Sequence, residues 1–180
     1  MEMRKTGARV LFLGLVLALA ACVAPAENFT ASPELETAVR SKEPIADKAR
    51  VHFFLGLVDS PFMIFGPLSN KQPADLIANG LVVGGVNAEQ VLVLDLDPGE
   101  YKFAWGERTE DGHGMVSNDI PVTLHEGELV YLRADWRPSA GAAFGIVGAL
   151  ADPPKAFLVS CAPSECANSV EDLKVVVASK

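Results

Sequence analysis

Three cysteines, three histidines and a few closely spaced carboxylates are the residues of this 180-residue chain that could carry chemistry. The histidines, His52, His113 and His125, are scattered over one apolar run and two polar turns. Hydrolysis or group transfer needs a nucleophile, a base and an oxyanion donor drawn to one point. No Gly-x-Ser-x-Gly elbow, phosphate loop, His-x-His pair or zinc-spaced Cys/His cluster is present to supply them. An enzyme would have to rest on His113 and His125, whose replacement would then remove activity without altering folding. Asp95 and Asp97 fall on one side of an alternating strand and could take a cation, but a solvated outer face explains them more simply. The expectation is no catalytic residue, no metal and no cofactor. That leaves the thiols of Cys22, Cys161 and Cys166.

Cys22 closes an amino-terminal pattern. Arg4, Lys5 and Arg9 precede an apolar run from Val10 to Ala21, which ends in Leu19-Ala20-Ala21-Cys22. A basic start, a short apolar run and small residues before a boundary make a secretory signal peptide. The run is too short for a membrane span, which takes roughly 20 residues. The alternative reading is an ordinary signal peptide that happens to contain a cysteine. Leu-Ala-Ala-Cys, however, resembles the lipobox of bacterial lipoproteins. The resemblance implies that the Cys22 thiol receives a diacylglycerol, that cleavage falls before it, and that the new amino terminus is acylated. Stable anchoring takes more than one chain, at about 0.8 kcal/mol per buried methylene, and several chains on one cysteine satisfy that. Val23, standing where an Asp would imply inner-membrane retention, implies an outer-membrane location facing the periplasm. The expected partition is a signal peptide over 1–21, a lipidated cysteine and tether over 22–47, and a folded domain over 48–180.

Loss of residues 1–21 takes 15 basic and 23 acidic side chains to 12 and 22, and the net charge from −8 to −10. An acidic chain repels nucleic acid and anionic lipid alike, so no nucleic-acid partner is expected and the membrane partner is reached only through Cys22. In an oxidising compartment the two remaining thiols, Cys161 and Cys166, are expected to form a structural disulfide, with Pro163 favouring the turn between them. A metal-binding thiolate pair is the alternative; a redox centre would more usually be Cys-x-x-Cys.

The folded part is organised around residues 91–105, which alternate with period two on both sides of Pro98-Gly99. Leu92, Leu94 and Leu96 share one face before the turn; Tyr101, Phe103 and Trp105 share one after it. A hairpin would pair Leu96 with Tyr101, Leu94 with Phe103 and Leu92 with Trp105. An L-Pro-Gly turn splays a tight hairpin, so the chain crosses instead to a second sheet in the other reading. Ala49–Val58, with apolar residues on both faces and His52 within it, reads as a strand buried from both sides. Asn79-Gly80 reads as a hairpin turn in which Ile77 faces Val82. Thr109–Gly114 and His125–Glu128 read as polar turns. Strands are expected at Ile120–Leu124, Leu129–Trp136, Ala156–Ser160 and Val170–Ala178. In the tether, Ser32-Pro33-Glu34-Leu35-Glu36 resembles a helix start. The predicted class is all-β: a single small antiparallel β-sandwich, immunoglobulin-like or prealbumin-like.

In its order of elements the chain resembles the DUF2846 lipoprotein domain and, more loosely, the PEGA domain. The residues that carry the resemblance are Val51-His52-Phe53-Phe54, Asn79-Gly80, Leu96-Asp97-Pro98-Gly99-Glu100-Tyr101 and the run from Leu124 to Asp135. It implies an envelope lipoprotein with no defined activity. The expected function is therefore a non-catalytic binding or scaffolding module that contacts another envelope protein. The alternative is a periplasmic small-ligand or metal-binding protein, with a hydrolytic enzyme behind both. Phe62, Met63, Ile64 and Phe65, with Phe144 and Ile146, are the candidate interaction surface, because apolar segments broken by Gly and Pro read either as partner sites or as caps on the sandwich ends.

Overall fold

At Pro98-Gly99 the chain leaves one sheet for another, and that step organises the molecule. The computed structural model describes residues 28–31, 33, 36–37, 46–56, 73–137 and 155–178. In chain order the elements are β1 (Asn28–Thr30), β2 (Ala49–Leu55), β3 (Ala74–Ala78), β4 (Leu81–Val86), β5 (Gln90–Leu96), β6 (Gly99–Thr109), β7 (Gly112–Val116), β8 (Ile120–Leu124), β9 (Leu129–Arg137), β10 (Lys155–Cys161), α1 (Pro163–Val170) and β11 (Lys174–Ala178). The first sheet runs β1-β11-β5-β2-β9-β10; the second runs β4-β3-β6-β7, with β8 also paired to β6. Two layers of strands facing each other make an all-β sandwich. It is mixed rather than purely antiparallel, because β11 lies parallel to β5 and β2 parallel to β9.

Of the two readings of the central stretch, crossing is the one found. Leu96, Leu94 and Leu92 pair with Ala49, Val51 and Phe53 of β2 in the first sheet. In the second, Phe103 lies beside Ala78 and Ile120, and Trp105 beside Leu76. The hairpin pairs do not form, but both sets of side chains point into the same core between the sheets. Trp105 is its largest fully buried member. Its indole Nε1 donates to the Phe157 carbonyl across the sheets at 2.7 Å, and its ring meets that of Trp136 edge-on at 4.9 Å.

The Asn79-Gly80 hairpin forms as its sequence dictates. Both residues have positive φ, 51° and 81°, as a two-residue turn matching strand twist requires, and Ile77 faces Val82. The Glu126-Gly127 turn likewise carries Gly127 at φ 73°. Between Thr109 and Gly114 only Glu110-Asp111 is turn; His113 and Gly114 belong to β7.

A second apolar layer lies on the outer side of the first sheet. Alternation along β2 sends Val51 and Phe53 inward and His52 and Phe54 outward, where Phe54, Val91, Val93, Tyr131 and Val175 pack with Cys161 and Cys166. The cover is α1. Pro163 does not shape a simple cysteine turn; it occupies the first turn of this helix, where its missing N–H costs nothing. The expected strand over Val170–Ala178 is therefore shorter, starting at Lys174. The Cys161–Cys166 disulfide forms with Cα atoms 6.1 Å apart and staples α1 to the end of β10.

In the amino-terminal region one reading differs from what is found, and the helix start at Ser32-Pro33 is met at the residues described. Asn28–Thr30, within the segment read as tether, pairs with β11; three residues are too few for a period-two signal to show. Pro33, Glu36 and Thr37 are helical, and Thr37 Oγ1 donates to the Pro33 carbonyl at 2.8 Å. Asp95 is not simply solvated: it accepts from Arg50 Nε at 2.8 Å and from Nη2 at 3.3 Å, and Arg50 is only 3% exposed. Asp97 pairs instead with Lys48.

Candidate functional site

Asp75 is the most deeply placed carboxylate on the outer face of the second sheet. Alternation in β3 sends Ala74, Leu76 and Ala78 into the core and leaves Asp75 facing away. Its neighbours in register are Gly85 on β4 and Gly106 on β6. Glycine in a strand interior often marks the close approach of another group, and both positions do so here. A Cβ on Gly85 would collide with Arg108 Nη2 and Asp75 Oδ1, and one on Gly106 would stand 2.9 Å from His113 Cδ2. The two side chains lie in the space the glycines leave.

They converge on one carboxylate. Arg108 Nε donates to Asp75 Oδ1 at 2.9 Å and Nη2 donates to the same oxygen. His113 Nε2 lies 3.0 Å from Oδ2. Arg108 stands two residues from Gly106 and so shares its face by ordinary alternation. The register shift between β6 and β7 puts an extra residue on the β7 side and sets His113 opposite Arg108. The Asp75 side chain is 7% exposed, against 33% for Arg108 and 29% for His113. A charge this buried must be paired to be tolerated. Against a carboxylate acceptor, His113 Nε2 is the donor, and the imidazole and the guanidinium, both partly exposed, share the one buried carboxylate.

Among the described residues no hydroxyl or thiol is hydrogen-bonded to His113; Thr109 Oγ1 donates to the Gly112 carbonyl instead. No group of three or more His, Cys, Asp or Glu able to hold a metal occurs among them. Replacing Asp75 with Ala leaves Arg108 and His113 without their common acceptor. The expected cost is about 1–3 kcal/mol in urea unfolding, toward the lower figure because both partners are partly solvated. Faster amide exchange over Gly112–Val116 should accompany it; unchanged exchange there would show that the cluster does not hold β7.

The cluster sits at one end of the sandwich. β2 leaves that end at Gly56, whose N–H donates to the Ala134 carbonyl at 2.8 Å, and the chain returns at Pro73, whose carbonyl accepts from Arg108 N–H at 2.8 Å. β9 ends and β10 begins there too, with Arg137 opposite Lys155. Segments 57–72 and 138–154 therefore both start and finish at this open end. The other end is closed by short turns. Gly127 N–H donates to the Lys48 carbonyl, and Asn79 N–H to the Lys102 carbonyl, each at 2.8 Å.

The candidate residues divide accordingly. Cys161 and Cys166 are joined. Cys22, Phe62, Met63, Ile64, Phe65, Phe144 and Ile146 lie outside the described residues. His113 is drawn into the Asp75 cluster. His125 stays exposed in a turn of the closed end, where its N–H donates to Glu128 Oε2 at 2.8 Å. His52 is buried at 7% exposure, edge-on to Tyr131, with both ring nitrogens unpartnered. Asp75 and Arg108 did not stand out as site residues by type; the signal that points to them is Gly85 and Gly106, glycines inside strands. No family model matches the chain, and no curated protein or solved structure matches it either.

Proposed function

We propose that this protein is an envelope lipoprotein, anchored by acyl chains on Cys22, whose β-sandwich is a non-catalytic binding or scaffolding module. The observation that carries the anchor is Leu19-Ala20-Ala21-Cys22 behind a basic start and a short apolar run. The binding half is supported by the described strand ends that flank both apolar segments, Gly56 and Pro73 for one and Arg137 and Lys155 for the other, all at one end of a scaffold whose other end carries short turns. Loops held by a rigid scaffold are where recognition concentrates. The Asp75, Arg108 and His113 cluster adds a hydrogen-bonding face to the same end. A DUF2846-like domain in the periplasmic leaflet of an outer membrane accords with that reading, and its partner is a further envelope protein.

Photocrosslinkers at Phe65 and Phe144 in intact cells, with one at Asn79 on the closed end as control, test the module. The same protein should be captured from both Phe65 and Phe144 and not from Asn79. Capture from neither, or equal capture from all three, would contradict it.

A further inference from the structure

The short strand β1 decides which way an anchored domain faces. Asn28 lies opposite Ala178 and Thr30 opposite Val176, and Ala31 N–H donates to the Val175 carbonyl at 3.3 Å. β11 in turn runs parallel to β5, with Lys174 beside Gln90 and Val177 beside Val93. β5 starts at the open end, where its Val91 pairs with Phe54 of β2, and finishes at Leu96 beside the Pro98-Gly99 turn. Asn28 is therefore level with Leu94, close to the closed end, and the chain runs from it toward the open end. Whatever precedes Asn28 approaches the domain from the closed end.

From this register we infer that the closed end, bearing the Asn79-Gly80, Pro98-Gly99 and Glu126-Gly127 turns, faces the lipid surface that holds the anchor, and that the open end faces away. The inference rests on the Cys22 reading. Six residues, Cys22 to Glu27, then separate the acylated cysteine from the sheet, a reach of at most about 20 Å at ~3.5 Å per residue. A tether running to residue 47 would reach about 90 Å by the same measure and would leave orientation free. Turning the domain over would require the six residues to double back along β1 past four levels of strand, about 14 Å. That consumes most of their reach. The bilayer partner of the closed end is thus set by chain length and strand direction. Its carboxylates, Glu100, Glu126 and Glu128 among them, favour standing off an anionic surface rather than inserting.

The test uses full-length lipidated protein in vesicles of phosphatidylethanolamine and phosphatidylglycerol carrying a headgroup-attached quencher. A fluorophore is placed at Glu126→Cys on the closed end or at Asp111→Cys on the open end. Quenching several-fold stronger at position 126 than at 111 is expected. Equal or reversed quenching, in protein shown by flotation to be vesicle-bound, would overturn the orientation. Protein that does not float with the vesicles would instead overturn the Cys22 anchor itself, together with the orientation that rests on it. Lengthening the linker by 20 Gly/Ser residues after Glu27 should erase the difference between the two positions; persistence of the difference would show that strand entry and linker length do not set it.

Discussion

Between pH 7.5 and 4.5 the wild-type protein is expected to lose about 2–3 kcal/mol more stability than a His52→Phe variant. The imidazole is buried under the outer apolar layer of the first sheet with neither nitrogen partnered. Burial, aided by the Arg50 guanidinium and only partly opposed by Asp95, pushes its pKa down to about 4. In the unfolded chain the same group titrates near its ordinary value of 6.5. Above that value both states hold it neutral and it contributes nothing to pH dependence. As the pH falls from 6.5 toward 4 the unfolded state binds the proton first, so stability drops through that window. Other groups titrate in wild type and variant alike, and any packing change from phenylalanine is a constant offset, so the difference between the two curves isolates His52. Urea unfolding at half-unit pH intervals measures it. Parallel curves would show that the folded protein accommodates the charged ring.

The largest single loss is expected at Trp105. Its side chain, 1% exposed, fills the space between the sheets, and its Nε1 satisfies the Phe157 carbonyl on the edge strand β10. Its own N–H donates to Ser117 Oγ at 2.9 Å, fixing the chain as it leaves β7. Trp105→Ala should cost about 3–5 kcal/mol, a large share of the 5–15 kcal/mol typical of a folded domain. Trp105→Phe keeps most of the packing and deletes the indole donor, which should cost about 1–3 kcal/mol. Midpoints in urea report both. A loss under about 1 kcal/mol for Trp105→Ala would mean that the two sheets are not held at this point.

What could be read from the sequence was whatever local chemistry dictates. Asn79-Gly80 specifies its own turn because both residues tolerate positive φ, and the Ile77–Val82 register follows. Strand alternation found the residues of the inner core, from Val51 and Phe53 to Val130 and Leu132. The partner of each strand was less legible. Leu92, Leu94 and Leu96 alternate identically whether they meet β6 in a hairpin or β2 in a sheet, and only Pro98-Gly99 argued for the crossing. The parallel pairings of β2 with β9 and β11 with β5 join residues tens of positions apart and leave no local trace. Helix α1 was masked because its eight residues, stapled at Cys166, owe their helicity to the surface they cover more than to their own pattern. The Asp75 cluster escaped for a related reason. Its three members lie on three strands, and the glycines that admit them are visible as a site only once the register is known.

Mass spectrometry of the mature amino terminus, for wild type and for Cys22→Ser, tests the lipoprotein reading most directly. A chain beginning at Cys22 and carrying the added mass of diacylglycerol and an amide-linked acyl group is the expected result, with Cys22→Ser left unacylated and uncleaved at that bond. A mature wild-type chain with an unmodified Cys22, recovered in the soluble fraction, would contradict the anchor and with it the orientation inferred for the sandwich.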